Sequence, residues 1–528
     1  MKDVNKMAYI AEVPVGKYIY LYECIGYREG GKVKSKRVPV GKIDPKTGKR
    51  VFKPEYIQRM KEAGTPIEVN EDESYFSITD IKNSTIKEFG LTSLLDELAK
   101  NSGLRDALNK SNPKYCDEVF VLAKHLVANG DPFMHCQDWL ENVEISESIE
   151  HLSSQKISKI LADLSHCEIE SFYQQWANKR SETEYLALDI TSCSSYSQLI
   201  EDVEWGYNRD SENLPQVNLC MLMGETSRFP IYQVSYQGSL KDVSTFETTL
   251  EKFKVIVGDK EIHAVMDKGF FSVRNINKML KNNANFVIAV PFSSGLAKNQ
   301  VKQLASEIDD FSNNIVIGDD ALRAIAQTHK WGKKEVFVHT YYNPTKATIK
   351  RENLYKKVSK MLDMATEDPQ KYESDKSVRK YIQIEKLKDG TYDIKTKADV
   401  VEQEYRHTGW LIVISNHIQD TKKAIRIYRD KDAVEKGFEK IKNSLDLGRL
   451  RVHSDSAMQS KMFICFIALV ILSHIHFVMI EKDLYGSYTL RQLLRTLAKR
   501  RVQVIDDNRI EFPLTKKQRL IYEAFGIL

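Results

Sequence analysis

Apolar and polar positions alternate at period two near the start of the chain. In YIYLYECIGYR, Tyr18, Tyr20 and Tyr22 alternate with Ile19 and Leu21, which predicts a half-buried strand. Gly30-Gly31 predicts a turn, and KVKSKRVPVGK a returning basic strand. Such a hairpin suits either a nucleic-acid-facing surface or the solvated face of a small sheet. From about residue 75 the apolar spacing becomes i, i+3, i+4. LTSLLDELAKNSGLRDALNK and CDEVFVLAKHLVANG show it, and Gly103 and Gly130 punctuate them. Helices are predicted through residue 180, as a helix-turn-helix or as any small bundle.

At Glu184 the pattern changes again. EYLALDI, PQVNLCMLMGE and FPIYQVSYQG read as three strands, and DVSTFETTLEKF as an amphipathic helix. EIHAVMD is a further strand, SVRNINKMLKNN a helix capped by Ser272, and NFVIAVP another strand. The order β-β-β-α-β-α-β is that of an α/β, ribonuclease-H-like mixed sheet with flanking helices. The polar, Lys-rich stretch 292–405 interrupts it and predicts a β-rich insertion domain. GWLIVISN returns as a strand, and helix starts at Asp420-Thr421. Met462 to Ile480 is 19 residues long without Asp, Glu, Lys or Arg, about the length that spans a bilayer. Ser473, His474 and His476 inside it, and the polar remainder of the chain, favour a buried core helix. The predicted organisation is 1–74, β-rich and basic; 75–180, helical and a candidate for binding DNA ends; 181–291, first part of the core; 292–405, insertion; 406–480, second part of the core; and 481–528, a basic C-terminal region.

Composition narrows the class. The 528 residues are 42% hydrophobic and 29% charged, ordinary for a globular protein, and the net charge is only +5. Basic residues are locally concentrated instead: 14 Lys+Arg against 6 Asp+Glu over residues 1–60, and 10 against 5 over both 421–451 and 482–528. The seven cysteines are scattered without a CxxC, which suits free thiols in a reducing compartment. The N-terminus lacks the apolar segment of a signal peptide.

Against this background four residues stand out. Tyr428, Lys431, Glu435 and Lys442 lie at spacings that fall within roughly a 60° arc of one helix. Such a stripe suits phosphate and metal better than a core. Asp189 and Asp267 each close an apolar strand-like run, at the sheet edge where α/β proteins bind ligands. A buried carboxylate there needs a cation or hydrogen bonds. Asp432-x-x-Glu435 also resembles a capping box, which would make Glu435 structural. Three carboxylates from two strands and a helix can hold two ions roughly 4 Å apart for in-line displacement at phosphorus. Oxygen ligands fit Mg²⁺ or Mn²⁺ rather than zinc.

These motifs together resemble the DDE transposases of bacterial insertion sequences, in the group with a Y-x2-R-x3-E-x6-K signature. Here the signature reads Tyr428-x2-Lys431-x3-Glu435-x6-Lys442. LALDITSCSSYS is similar to the group's first-aspartate motif, AVMDKGFFS to its second, and WGYNRDSENLPQVNL to its G-Y-x-[KR]-D segment. The resemblance implies Asp189, Asp267 and Glu435 as catalytic ligands of two Mg²⁺ ions, with Mn²⁺ as substitute. It implies Tyr428, Lys431 and Lys442 as DNA contacts. Position 431 departs from the signature: Lys still meets phosphate but loses the bidentate fork of Arg. Arg209 is either a phosphate contact or a solvated turn residue. Trp331 either stacks on a base flipped out near the cut or packs locally. Cys193 is assigned to packing.

The implied function is transposition. The enzyme would bind inverted-repeat ends of double-stranded DNA, hydrolyse a phosphodiester and join the freed 3′-hydroxyl to target DNA. It would act as a homodimer assembled on DNA, in the bacterial cytoplasm at the nucleoid and without a membrane. The alternatives are a nuclease of the same fold that never joins strands, and a non-catalytic, transposase-derived DNA-binding protein.

Overall fold

A computed structural model describes residues 8–29, 32–45, 48–63, 84–112, 114–180, 185–258, 260–505 and 508–528. The predicted Gly30-Gly31 turn lies outside the described residues. The chain is a mixed α/β protein that divides into two compact units. One comprises Met1–Glu88 with Arg500–Pro513, the other Phe89–Lys499 with Leu514–Leu528.

In the first unit, Ala8–Val15, Tyr18–Glu29, Lys32–Ile43 and Arg50–Phe52 form an antiparallel sheet. Leu21, Val40 and Phe52 form a small core with Tyr56 of the helix Pro54–Glu62. The first half of the basic strand is exposed. A second sheet joins Thr85–Glu88 to Arg501–Ile505 and Asn508–Glu511. The basic C-terminal stretch is therefore shared: Arg500–Pro513 belongs to this unit and the rest to the other.

The second unit is built on nine strands: β1 (Leu186–Ser194), β2 (Gln216–Gly224), β3 (Pro230–Gln237), β4 (His263–Met266), β5 (Asn285–Ala289), β6 (Asn314–Ile317), β7 (Asp320–Trp331), β8 (Lys334–Tyr342) and β9 (Trp410–Ser415). Their order across the sheet is β6-β7-β8-β9-β5-β4-β1-β2-β3. β1 to β3 are an antiparallel meander. Helices α1 (Asp242–Val257) and α2 (Val273–Lys281) then carry the chain to β4 and β5, which run parallel to β1. Ser272 caps α2 by accepting the Asn275 N–H at 3.0 Å, as its sequence predicts. β1 and β2 are buried along nearly their whole length, their polar members Thr191, Ser192, Ser194, Gln216 and Asn218 included.

The stretch 292–405 divides. β6 to β8 extend the central sheet through β9. The helix Pro344–Glu367 and the hairpin of Ile382–Lys386 and Tyr392–Thr396 build a separate small core around Leu354, Val358, Val378, Tyr381 and Ile382. After β9 come α3 (Thr421–Asp430), α4 (Asp432–Ser444) and α5 (Asp455–Glu481). α5 is apolar on every side and long enough to cross a membrane, but 72% of its most apolar stretch is buried inside the protein. Helices Cys116–Asn129 and Ser154–Asp163 pack on it, as do α4 and β3. The helical region thus supplies the cover that an all-apolar helix needs in water.

Candidate active site

β1 and β4 pair in parallel register, Leu188 opposite Met266. One step further along each chain come Asp189 and Asp267, so sheet register alone makes the two carboxylates neighbours. β4 stops at Met266, and Asp267 begins a short 3-10 turn, Lys268–Phe270. β1 does not stop. It runs on to Ser194, so Asp189 lies mid-strand rather than at the strand end that its sequence suggests. The continuation is held by β2 on one side. On the other, beyond the end of β4, the chain after α4 returns: Leu450 N–H bonds the Ser194 carbonyl at 3.1 Å.

Asp189 accepts the Ile190 N–H at 2.8 Å and has no ion-pair partner among the described residues. Burial pushes its carboxyl up to about 6. The Ile190 N–H and the charges of Lys431 and Arg209 oppose that rise, and the charge of Asp267 adds to it.

α3 and α4 are nearly continuous. They meet at Lys431, whose backbone is itself helical, and the Tyr428–Lys442 stripe therefore spans two helices. Tyr428 Oη donates to Asp267 Oδ1 at 2.8 Å. Burial first, then the charge of Asp267 and the hydrogen bond to it, hold the phenol well above its usual range. Lys431 donates to Glu435 Oε1 at 2.8 Å and stands over the Tyr428 ring, 5.6 Å from its centroid. Its side chain is only 12% exposed. Burial would pull this ammonium down, but the Glu435 bond and the charges of Asp267, Glu435 and Asp189 outweigh it and raise it. Lys431 is thus the hub that couples all three acids.

Glu435 is not part of a capping box. Lys431 occupies the cap position of α4, and no side chain caps the helix. The glutamate side chain is 55% exposed and turned to Lys431. Among the described residues no three His, Cys, Asp or Glu side chains gather closely enough to hold a metal ion. The expected clasp of three carboxylates is therefore not closed in this structure, in which Glu435 is paired with Lys431. The donor chemistry still fits a hard cation: every donor is oxygen, and Asp189 is a buried carboxylate without an ion-pair partner among the described residues.

Lys442 pairs with Asp210 and Arg209 with Asp242, the first residue of α1. The 204–210 loop that carries Arg209 is fixed by facing glycines. A side chain on Gly206 would strike the Gly238 carbonyl, and one on Gly238 would strike the carbonyls of Gln216 and Glu204. Trp331 packs against the segment that follows Asp267. Its indole donates to Asn277 Oδ1 at 2.8 Å and its ring meets Phe271 edge-on, the local packing that the sequence left open. Cys193 is fully buried.

Sequence reasoning missed a cleft of about 710 Å³ that opens beside Asp267 and Tyr428. Lys268, Lys350, Lys357, Phe292, His407 and Trp410 help line it. Phe292 and His407 stack face to face with centroids 4.4 Å apart. Burial and then the Lys298 charge lower the imidazole below its ordinary range. The signal was present in the lysine-rich KATIKRENLYKK.

A family model described as a transposase DDE domain matches residues 180–471, more than half of the chain. A search of curated proteins finds no match. Among solved structures the chain is similar to a piggyBac transposase, determined by cryo-electron microscopy as a synaptic complex with hairpin DNA. The identity is 10% and the TM-score 0.36, over 82% of this chain and 73% of that one.

Proposed function

The chain belongs to the transposase DDE domain family, and from that membership we infer a transposase of the bacterial insertion-sequence type. It binds inverted-repeat ends, cleaves DNA by metal-assisted hydrolysis of a phosphodiester, and joins the freed 3′-hydroxyl to target DNA. The meander β1 to β3 followed by parallel β4 and β5 supports a ribonuclease-H-like core. The observation that carries the reading is the coupling of Asp189, Asp267, Tyr428, Lys431 and Glu435, drawn from separate segments into one charged neighbourhood.

Asp189, Asp267 and Glu435 would hold two Mg²⁺ ions, with Mn²⁺ as substitute. Bound there, the ions would supply Lewis-acid stabilisation of the phosphoryl oxygens. The chain's own residues do the rest. Tyr428 orients the Asp267 carboxylate through its hydrogen bond. Lys431 must release Glu435 for the third carboxylate to turn inward, and its ammonium is then free to meet a phosphate. Lys442, Arg209 and the lysines of the cleft hold the DNA strand. Joining two ends calls for two such sites, which means a dimer assembled on DNA. The setting is the bacterial cytoplasm, at the nucleoid.

Incubation with precleaved element ends tests the reading directly. A transposase yields joined product; cleavage without joined product would leave the nuclease alternative. Glu435→Gln should abolish Mg²⁺-dependent cleavage and leave DNA affinity largely intact. Unchanged activity in cells after Asp189→Ala would identify a non-catalytic DNA-binding protein.

A further inference from the structure

The sheet of the first unit has two unlike faces. Residues paired across neighbouring strands share a face, and successive residues along a strand alternate between faces. Register puts Ile10, Leu21 and Ile43 on one of them, where Val40 and Phe52 join the core and Tyr56, Ile57 and Met60 of the helix Pro54–Glu62 close it. Glu12 and Glu23 share this covered face and are paired there with Arg50 and Arg59.

The same register assembles the other face in rows across the strands: Tyr9, Cys24 and Arg37; Ala11, Tyr22 and Pro39; Val13, Tyr20 and Lys42; Val15 and Tyr18. No strand residue on this face is acidic. Tyr9, Val15 and Tyr18 are 63%, 52% and 48% exposed. Arg37 and Lys42 are exposed too, and neither has an ion-pair partner among the described residues. An open sheet face in water ordinarily carries polar side chains. Here tyrosines and valines take those positions, so the face is built to be covered. The tyrosines of the strand Tyr18–Glu29 and the cations of the neighbouring strand Lys32–Ile43 run as two adjacent tracks, one aromatic and one positive. Their complement is a polymer with flat rings along one side and anions along the other.

We propose that the face formed by Tyr9, Tyr18, Tyr20, Tyr22, Arg37 and Lys42 binds single-stranded DNA, with bases stacked on the tyrosines and phosphates on the two cations. The proposal rests on the reading of the chain as a DNA-acting enzyme, and gives a place to the strand that cleavage frees at an element end. Tyr18, Tyr20 and Tyr22 follow one another at about 6.8 Å along their strand. That is twice the roughly 3.4 Å step of stacked bases in a duplex. The spacing suits a stretched single strand, whose bases are open to the rings, and not a duplex, whose bases already cover each other.

The test measures affinity of the full chain, with EDTA present to prevent cleavage, for a duplex copied from the DNA that brackets its reading frame and for one strand of it alone. Tyr18→Ala/Tyr20→Ala should weaken the single strand about tenfold or more and the duplex by less than about twofold. Tyr18→Phe/Tyr20→Phe keeps the stacking rings and should keep the parent's affinity. Arg37→Gln/Lys42→Gln changes exposed positions and leaves the core alone. It should make the slope of log affinity against log salt for the single strand shallower by about 1.4. An unchanged slope overturns the proposal, including where the Ala variant does not fold. Equal losses for strand and duplex make the face a duplex surface and overturn the single-strand assignment. Single-strand binding untouched by the variants, in a parent that binds the duplex, overturns this site and leaves the functional reading standing. A parent that binds neither form overturns both. If the Ala variant loses self-association and keeps its affinity for the strand, the face meets a second copy of the chain and the DNA assignment is overturned.

Discussion

Asp189 and Asp267 are held in place by the sheet; Glu435 is held by another side chain. The first two sit one step past a fixed parallel pair, Leu188 and Met266. The pair beneath them cannot shift without slipping a strand in a buried sheet, which would flip every core residue, and the Tyr428 hydrogen bond holds Asp267 just past its strand. Glu435 rides on a helix surface, is half exposed and answers to Lys431. Two of the proposed ligands are built on the sheet, and the third is on a side chain held by a salt bridge. The Glu435 end of the pair is open to solvent, which screens the bond and leaves this carboxylate able to turn to another cation.

The largest test of that contrast is removal of the acids. Asp189→Ala, Asp267→Ala and Glu435→Gln should each lower cleavage by about a thousandfold or more in a Mg²⁺ assay. A much smaller loss for Glu435→Gln would mean that the rigid pair suffices. Next is stability in the absence of metal. The folded Asp189 carboxyl titrates near 6 against an ordinary 3.8, so the fold favours its protonated form. The associated stability is fully present below about pH 4 and is lost as pH rises through 6. Asp189→Asn should therefore gain on the order of 3 kcal/mol over the parent at pH 7 in denaturant melts, with little gain at pH 4. Mg²⁺ should stabilise the parent and not this variant. Lys431→Ala should reduce cleavage by roughly tenfold and shift the acidic limb of the pH–rate profile upward, because Lys431 lowers the Asp189 pKa. The smallest effect is expected for Tyr428→Phe. Loss of one hydrogen bond to Asp267, about 1 kcal/mol, should slow cleavage roughly fivefold with DNA affinity unchanged.

The strand order from β1 to β5 was readable because apolar runs, Gly punctuation and the Ser272 cap are local signals. The length of β1 was hidden. Its second half contains Thr191, Ser192 and Ser194, which are buried although polar. Their burial depends on long-range partners such as Glu212 and Asn208 at Ser194, which no hydrophobic pattern records. The join of β6 to β8 to the central sheet was hidden for a similar reason. β7 exposes about every other residue, so its stretch looked like a polar insertion, and pairing with β9 is a long-range fact. At the site, residue type and spacing singled out the acids and the stripe. The pairing of Glu435 with Lys431 is a side-chain contact, which spacing does not encode. Trp331 was a candidate by its lysine neighbours alone, and its packing partners Asn277 and Phe271 are distant in sequence.

The facing glycines at 206 and 238 have a consequence for how such a chain changes over generations. Each is opposed by main chain, not by a side chain that could shrink in compensation. No single replacement elsewhere makes room for a methyl group at either position. The segment bearing Arg209 should therefore accept new side chains at its outward residues while its path stays frozen, and any lineage that reshapes this loop must do so by gaining or losing residues in one event.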